Sequence, residues 1–424
     1  MNPGLGVEEE FHVLEVESGL LVPRADALLR RLPRRSFQAE LHQSTVESNS
    51  GVHTSLHELY ADLAGLRERL DAAASSLGVA VAAAGTAPLA PASSGHPTAD
   101  ARYRRMVEDY RKVADEQLIC GAQVHVDVPD RDTAVRVMCA VAPWLPVLLA
   151  LSASSPFWQG ADTGYASWRT LLWQRWPTAG PAGCFPTAAD YDAAVRDLVR
   201  AGVITDPGMI YYDVRPSAHL PTLELRLCDA CPRTETVVLV AGLFRALVTW
   251  ARQRLLTGGA PECRGRHEWL RGASWRAARS GLEGALVDPE TRREAPAAQV
   301  VRKLLTRLRP ALEALGDRQT VEALTREALA EGSAAQRMRR KAQEDDLLAC
   351  VDMVIAETRG ERRHCGPRPA GHGRVPSPGT GAPGASPGTG APGASPGTGA
   401  PGASPGTGAP GDSSGSEAAE IIGT

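Results

Sequence analysis

Four short stretches of this chain set large apolar side chains among carboxylate, imidazole or guanidinium groups: GVEEEFHVLEVE, FQAELHQSTVES, AQVHVDV and TLELRL. Acidic residues are depleted in strands. Successive side chains of a strand point to opposite faces, so each stretch, read as a strand, offers one apolar and one charged face. That pattern calls for a sheet with helices against one side and polar chemistry on the other. Glu8, Glu9 and Glu10 pose the question most sharply. Glu8 and Glu10 share a face, and Glu9 points away. Two carboxylates buried together are costly by themselves, and a bound divalent cation removes that cost. Glu9, turned away, is expected to tolerate glutamine.

The other stretches extend the charged face. Gln123, His125 and Asp127 alternate on one side of the third, and Glu224 and Arg226 on one side of the fourth. Glu40 and Glu47 are seven residues apart. In one regular strand that odd spacing faces them oppositely, so both enter one site only if a bulge intervenes or the strand ends between them. Oxygen-rich ligation suits Mg²⁺ or Mn²⁺, and an arginine among the ligands suits a phosphate oxygen. No G-x-x-x-x-G-K-[ST] occurs, which excludes a P-loop. Taken singly, an E-x-E strand is usually solvent-facing, a lone core histidine is usually hydrogen-bonded, and a Glu-x-Arg pair is often a surface ion pair. Their co-occurrence is the signal.

Around these strands the chain alternates with helices. TSLHELYADLAGLRERLDAAASSLG repeats leucine at three- and four-residue steps, an amphipathic helix. DRDTAVRVMCAV and TAADYDAAVRDLVRAG each begin with capping residues, and much of 235–357 reads as helix. The fold class expected is α+β: a mostly antiparallel sheet with flanking helices, over 1–359. From Ser377 a nonapeptide, SPGTGAPGA, repeats. Its composition cannot bury enough surface to offset ordering, so 360–424 reads as a disordered tail. Val137–Trp158 is apolar but broken by Pro143 and Pro146, which favours buried helices over a membrane span. The first residues lack a basic signal region. A net charge of -3 gives no global pull toward nucleic acid or an anionic membrane. Eight cysteines at irregular spacing do not outline a disulfide framework and suggest a reducing cytoplasm. The lone C-x-x-C of Cys228 and Cys231 fits packing better than zinc.

GVEEEF, CGAQVHV, GYASWRTLLWQRWPTAGP and GMIYYDVRPSAHLPTLELRLCDAC, with the helix after them, resemble the type 2 glutamate–cysteine ligase family, in its carboxylate–amine ligase branch. The resemblance covers roughly Gly4 to Glu357. It implies a fold similar to the glutamine synthetase catalytic domain, a curved antiparallel sheet holding Mg²⁺ (or Mn²⁺) and ATP. It implies ATP-dependent amide formation between glutamate and cysteine or another amine, through an acyl phosphate. Glu8, Glu10, Glu47, His125 and Glu224 match metal-ligand positions, and Glu40 fits more loosely. Arg226 matches a phosphate-contacting arginine, Arg169 is assigned to a substrate carboxylate, and Glu47 joins Arg226 as catalytic. The chain departs from the family at Gln123, usually His there, at Asp127, often Gly, and at His42, commonly apolar. Two other readings stay open: a divalent-metal hydrolase without nucleotide, and a degenerate ligase fold that only binds. The amine acceptor and the oligomeric state, a homo-oligomer included, are open too.

Overall fold

The alternating stretches do form one sheet. In the computed structural model, which describes residues 2–91, 95–259 and 267–361, β1 (Leu5–Glu15) lies at its centre. Around it are β2 (Phe37–Ala39), β3 (Thr45–Asn49), β4 (Val79–Ala82) and β5 (Gly121–Asp127). A small hairpin, β6 (Phe157–Trp158) and β7 (Ala161–Asp162), stands apart. β8 (Val214–Pro216) and β9 (Thr222–Asp229) complete the main sheet, in the order β2-β3-β1-β5-β9-β8 with β4 also on β1. The pairings between these strands are all antiparallel.

The helices are α1 (Ala25–Leu29), α2 (Leu56–Ser75), α3 (Ala101–Tyr110), α4 (Lys112–Asp115), α5 (Arg131–Val141), α6 (Leu145–Ser152), α7 (Trp168–Trp173), α8 (Ala188–Arg200) and α9 (Thr234–Leu256). Further along come α10 (His267–Ser280), a hairpin of β10 (Ala285–Val287) and β11 (Glu294–Pro296), and α11 (Ala297–Leu315) to α14 (Leu347–Thr358). Leu5, Val7, Val124, Val126, Leu223 and Leu225 form the sheet's apolar face and pack against α2, α5, α6 and α9. Arg131–Ser152 and Thr234–Leu256 are long and apolar enough to cross a bilayer. Both are core helices here, and the apolar run noted in the sequence is the buried pair α5 and α6.

Three features differ from the sequence reading. The stretch FQAELHQSTVES is two strands, β2 and β3, paired antiparallel, rather than one. Cys139 and Cys184 are joined in a disulfide across 45 residues, where irregular spacing suggested free thiols throughout. Spacing could not reveal it, because a helix and a distant loop meet only in the fold. Cys228 and Cys231 are buried and free, as packing residues. The repeat tail lies outside the described residues from 362 onward.

Glu9 supplies the third difference. It points to the apolar side, as alternation requires, but it is not idle there. It is 1% exposed, and Arg67 of α2 grips both its oxygens at 2.5 and 3.2 Å. The same guanidinium donates to the carbonyls of Pro232 at 2.6 Å and Cys231 at 2.8 Å. Removing one partner of a buried ion pair leaves an uncompensated charge and costs roughly 3–5 kcal/mol. Glu9→Gln is therefore expected to lower the urea midpoint by that equivalent, with turnover per folded molecule kept. An unchanged midpoint would show that Arg67 needs no counter-charge.

Candidate active site

The face opposite the apolar core carries the site. Across the strands Glu10 faces Glu47, Glu8 faces Asn49 on β3 and Gln123 on β5, and His125 faces Glu224. Residues directly opposite share a face, so the strand-borne charged groups of four stretches converge. Glu40 sits one residue past β2, whose Gln38 faces Glu47. The strand ends between the two glutamates, which resolves their odd spacing.

Two clusters result. Glu8, His125 and Glu224 each bring one ligand atom to within 4.8 Å of the others, and so do Glu10, Glu40 and Glu47. In the first, His125 Nε2 lies 3.1 Å from Glu8 Oε1, while Nδ1 lies 2.9 Å from Thr222 Oγ1. In the second, Glu47 Oε1 accepts from the amides of Gln38 at 2.7 Å and Asn49 at 3.1 Å. Glu10 accepts from the Gly121 backbone N–H at 2.6 Å and from the Gln123 amide at 2.9 Å.

The clusters differ electrostatically. Burial, with the Glu40 carboxylate beside it, pushes Glu10 up to about 7. Burial and then Glu40 and Glu8 push Glu47 well above the carboxylate range. Burial acts on Glu224 as well, yet the Arg226 and Arg215 guanidiniums hold it down to about 2. Like charges crowded in one cluster, and opposite charges paired in the other, account for the contrast. Oxygen donors with one imidazole suit a hard divalent cation.

Gln123 joins the two halves. Its amide NH₂ donates to Glu10, and its carbonyl accepts from Arg226 Nη1 at 2.5 Å. Arg226 also donates to Glu224. The glutamine that stands where the resembled family has histidine is thus a bridge between a ligand candidate and the arginine. Asp127 accepts from Gly4 N–H at 3.0 Å and anchors the start of β1. His42 is buried with Nε2 2.9 Å from the Ala114 carbonyl, outside both clusters.

Arg169 reaches the same face from α7. It is 3% exposed, and its guanidinium occupies the space a Cβ on Gly121 would need. The pairing of β5 with β9 takes one extra residue on β9 between Leu225 and Cys228, a bulge. The Arg226 and Leu227 carbonyls of that bulge accept from Arg169 at 3.4 and 3.3 Å. Asp229, wholly buried, fixes α7: it accepts from Ser167 at 2.8 Å and Ser155 at 2.7 Å.

Sequence reasoning missed Arg215, Thr222, Gln38 and Asp229 as supporting residues. Arg215 pairs with Glu224 at 2.8 and 3.2 Å. Its place opposite Glu224 follows from the short turn between Pro216 and Pro221, a signal that was present. Asp229 gave none, because its serine partners lie 62 and 74 residues away.

Residues 4–353 match the family described as Glutamate-cysteine ligase family 2 (GCS2). A protein of Frankia casuarinae named "Putative glutamate--cysteine ligase 2-2" is 56% identical over 357 residues, covering 84% of this chain and 41% of the relative. One of Mycolicibacterium smegmatis with the same name is 51% identical over 356 residues, covering 84% of this chain and 89% of the relative. The chain thus spans less than half the length of the Frankia relative. Among solved structures, a glutamate–cysteine ligase of Francisella tularensis in complex with AMP superposes with a TM-score of 0.66 at 12% identity, over 85% of this chain and 89% of that one. A bifunctional glutathione synthetase of Pasteurella multocida gives 0.63 at 16% identity, over 84% of this chain and 52% of that one. Both likenesses are of fold.

Proposed function

The chain belongs to glutamate–cysteine ligase family 2, and from that premise we propose that it is an ATP-dependent carboxylate–amine ligase. The donor is the γ-carboxylate of glutamate, and the acceptor is cysteine or another amine. One observation carries the reading: two acidic clusters and the half-buried Arg226 share one sheet face and are linked through Gln123. A carboxylate is a poor electrophile. Transfer of the γ-phosphoryl group from ATP makes an acyl phosphate, which the amine attacks, releasing phosphate and leaving ADP.

Divalent cations, Mg²⁺ or Mn²⁺, supply charge neutralisation and alignment of phosphate oxygens when bound. Glu8, His125 and Glu224 would hold one, and Glu10, Glu40 and Glu47 another. The donor chemistry fits, since a cation relieves the like-charge crowding that raises Glu10 and Glu47. Arg226 stabilises the transferred charge, because its guanidinium is fixed in place by Glu224 and Gln123 before substrate arrives. Arg169, held from the other side of the bulge, receives a substrate carboxylate.

An ADP-release assay with glutamate and a panel of amines, read by mass spectrometry, tests this. The expected result is ADP formation that needs both glutamate and an amine and yields a γ-glutamyl amide. Metal-dependent product without ATP would make the protein a hydrolase. Failure to bind Mg·ATP would make it a binding scaffold.

A further inference from the structure

Arg169 and Trp173 stand four residues apart on α7, on one helix face. The Arg169 guanidinium carbon lies 5.6 Å from the Trp173 ring centroid. Arg226, arriving from β9, lies 5.9 Å from the same ring and 5.8 Å from Tyr211. The indole is wedged in turn, with the Tyr211 centroid at 4.7 Å and Trp176 at 6.4 Å. One aromatic ring therefore carries two cations from different elements, and its own freedom is small.

The charges on that ring are unequally met. Arg226 has Glu224. Arg169, 3% exposed, donates only to two backbone carbonyls, at 3.3 and 3.4 Å, in the hydrogen bonds of the described residues. The carboxylates of Glu10, Asp213 and Asp229 act on it through space, but none is among its hydrogen-bond acceptors in the described residues. Three N–H donors on these touching side chains are buried without an acceptor among the described residues: Arg169 Nε, Arg226 Nε and Trp173 Nε1. Buried donors are rarely left so. Unused N–H donors on two guanidiniums and the indole between them call for an acceptor, and an oxyanion is the acceptor two cations favour.

We propose that Trp173 is a positioning residue that holds Arg169 and Arg226 together as a clamp on one oxyanion group of the substrates, phosphoryl or carboxylate. The inference rests on the ligase reading for the identity of those substrates. It replaces the separate roles given to the two arginines above with a shared one, because a single indole sets the distance and orientation of both. Desolvated cation–π contacts are worth enough that losing one weakens binding roughly thirtyfold.

The test uses the full chain with Mg²⁺ and no nucleotide. Inorganic phosphate and L-glutamate are titrated separately by calorimetry into wild type, Trp173→Phe and Trp173→Leu. W173L is expected to lose roughly thirtyfold for one of the two anions, and W173F less than about fivefold, with Mg²⁺ affinity unchanged in both. The anion affected tells phosphoryl from carboxylate. Should W173L fail to fold, Arg169→Gln, which leaves the indole in place, must weaken one of the two anions by a comparable factor. Unchanged affinities in folded W173L overturn the clamp. So does equal damage from W173F and W173L, or a wild type that binds neither anion. Absence of ADP release in the wild type would instead sink the ligase reading and leave this comparison standing.

Discussion

Glu47→Gln is expected to abolish metal-dependent ADP release while making the metal-free protein more stable. Glu47 is 5% exposed. One of its oxygens accepts from Gln38 and Asn49, and glutamine keeps that oxygen. The other side meets Glu40, close enough for a carboxyl–carboxylate hydrogen bond that raises Glu47. A glutamine amide donates there permanently and removes the repulsion from Glu40, Glu8 and Glu10. The gain without metal should be on the order of 1 kcal/mol. The loss in turnover should be at least about a thousandfold, because a cation held at this cluster would contribute several kcal/mol to charge stabilisation. A variant that is both less active and less stable would mean that Glu47 is a packing residue.

The same cluster makes stability depend on pH. Glu10 is raised from 4.5 to about 7, so the folded protein holds a proton that the unfolded chain has released across that window. Its contribution is full below about pH 4.5 and is lost as pH rises through about 7, roughly 3 kcal/mol at most. A cation held by Glu10, Glu40 and Glu47 would take the place of the proton. Addition of Mg²⁺ should therefore raise the melting temperature more at pH 8 than at pH 5.5, and EDTA should reverse the rise. Glu47→Gln should shrink that difference.

Much of this site was legible because strands encode faces. Alternation alone separated Glu8 and Glu10 from Glu9, and put His125 and Glu224 on chemistry-bearing faces. It could say that Glu9 points away, but not that Arg67, on a helix 58 residues later, is buried against it. That pairing turns an expected mild substitution into a destabilising one. The Glu40–Glu47 spacing was an apparent defect, and the cause was a hairpin whose turn lacks a strong Gly or Pro signal. Gln123 was legible as a departure from a family pattern. Its bridging of Glu10 and Arg226 depended on a cross-strand register that the sequence does not state. Supports such as Asp229 act through contacts far along the chain, where period-two reasoning has no reach.

His125→Ala is expected to remove most activity and to weaken Mn²⁺ binding by at least about tenfold, whereas Gln123→His is expected to be tolerated. His125 Nδ1 meets the Thr222 hydroxyl at 2.9 Å. If that nitrogen carries the proton, the Nε2 lone pair is left toward Glu8 and Glu224, the tautomer a metal requires. Thr222→Val, which removes only the orienting hydroxyl, should cost about tenfold in metal affinity. Gln123 plays a different part, donating to Glu10 and accepting from Arg226. Neutral imidazole offers one donor and one acceptor, so it can serve both neighbours. The alternative makes His125 a core residue whose loss lowers stability alone. Calorimetric Mn²⁺ titration of the folded His125→Ala protein separates the two. Wild-type affinity there would remove His125 from the ligand set, and with it much of the case that β5 lines the active site.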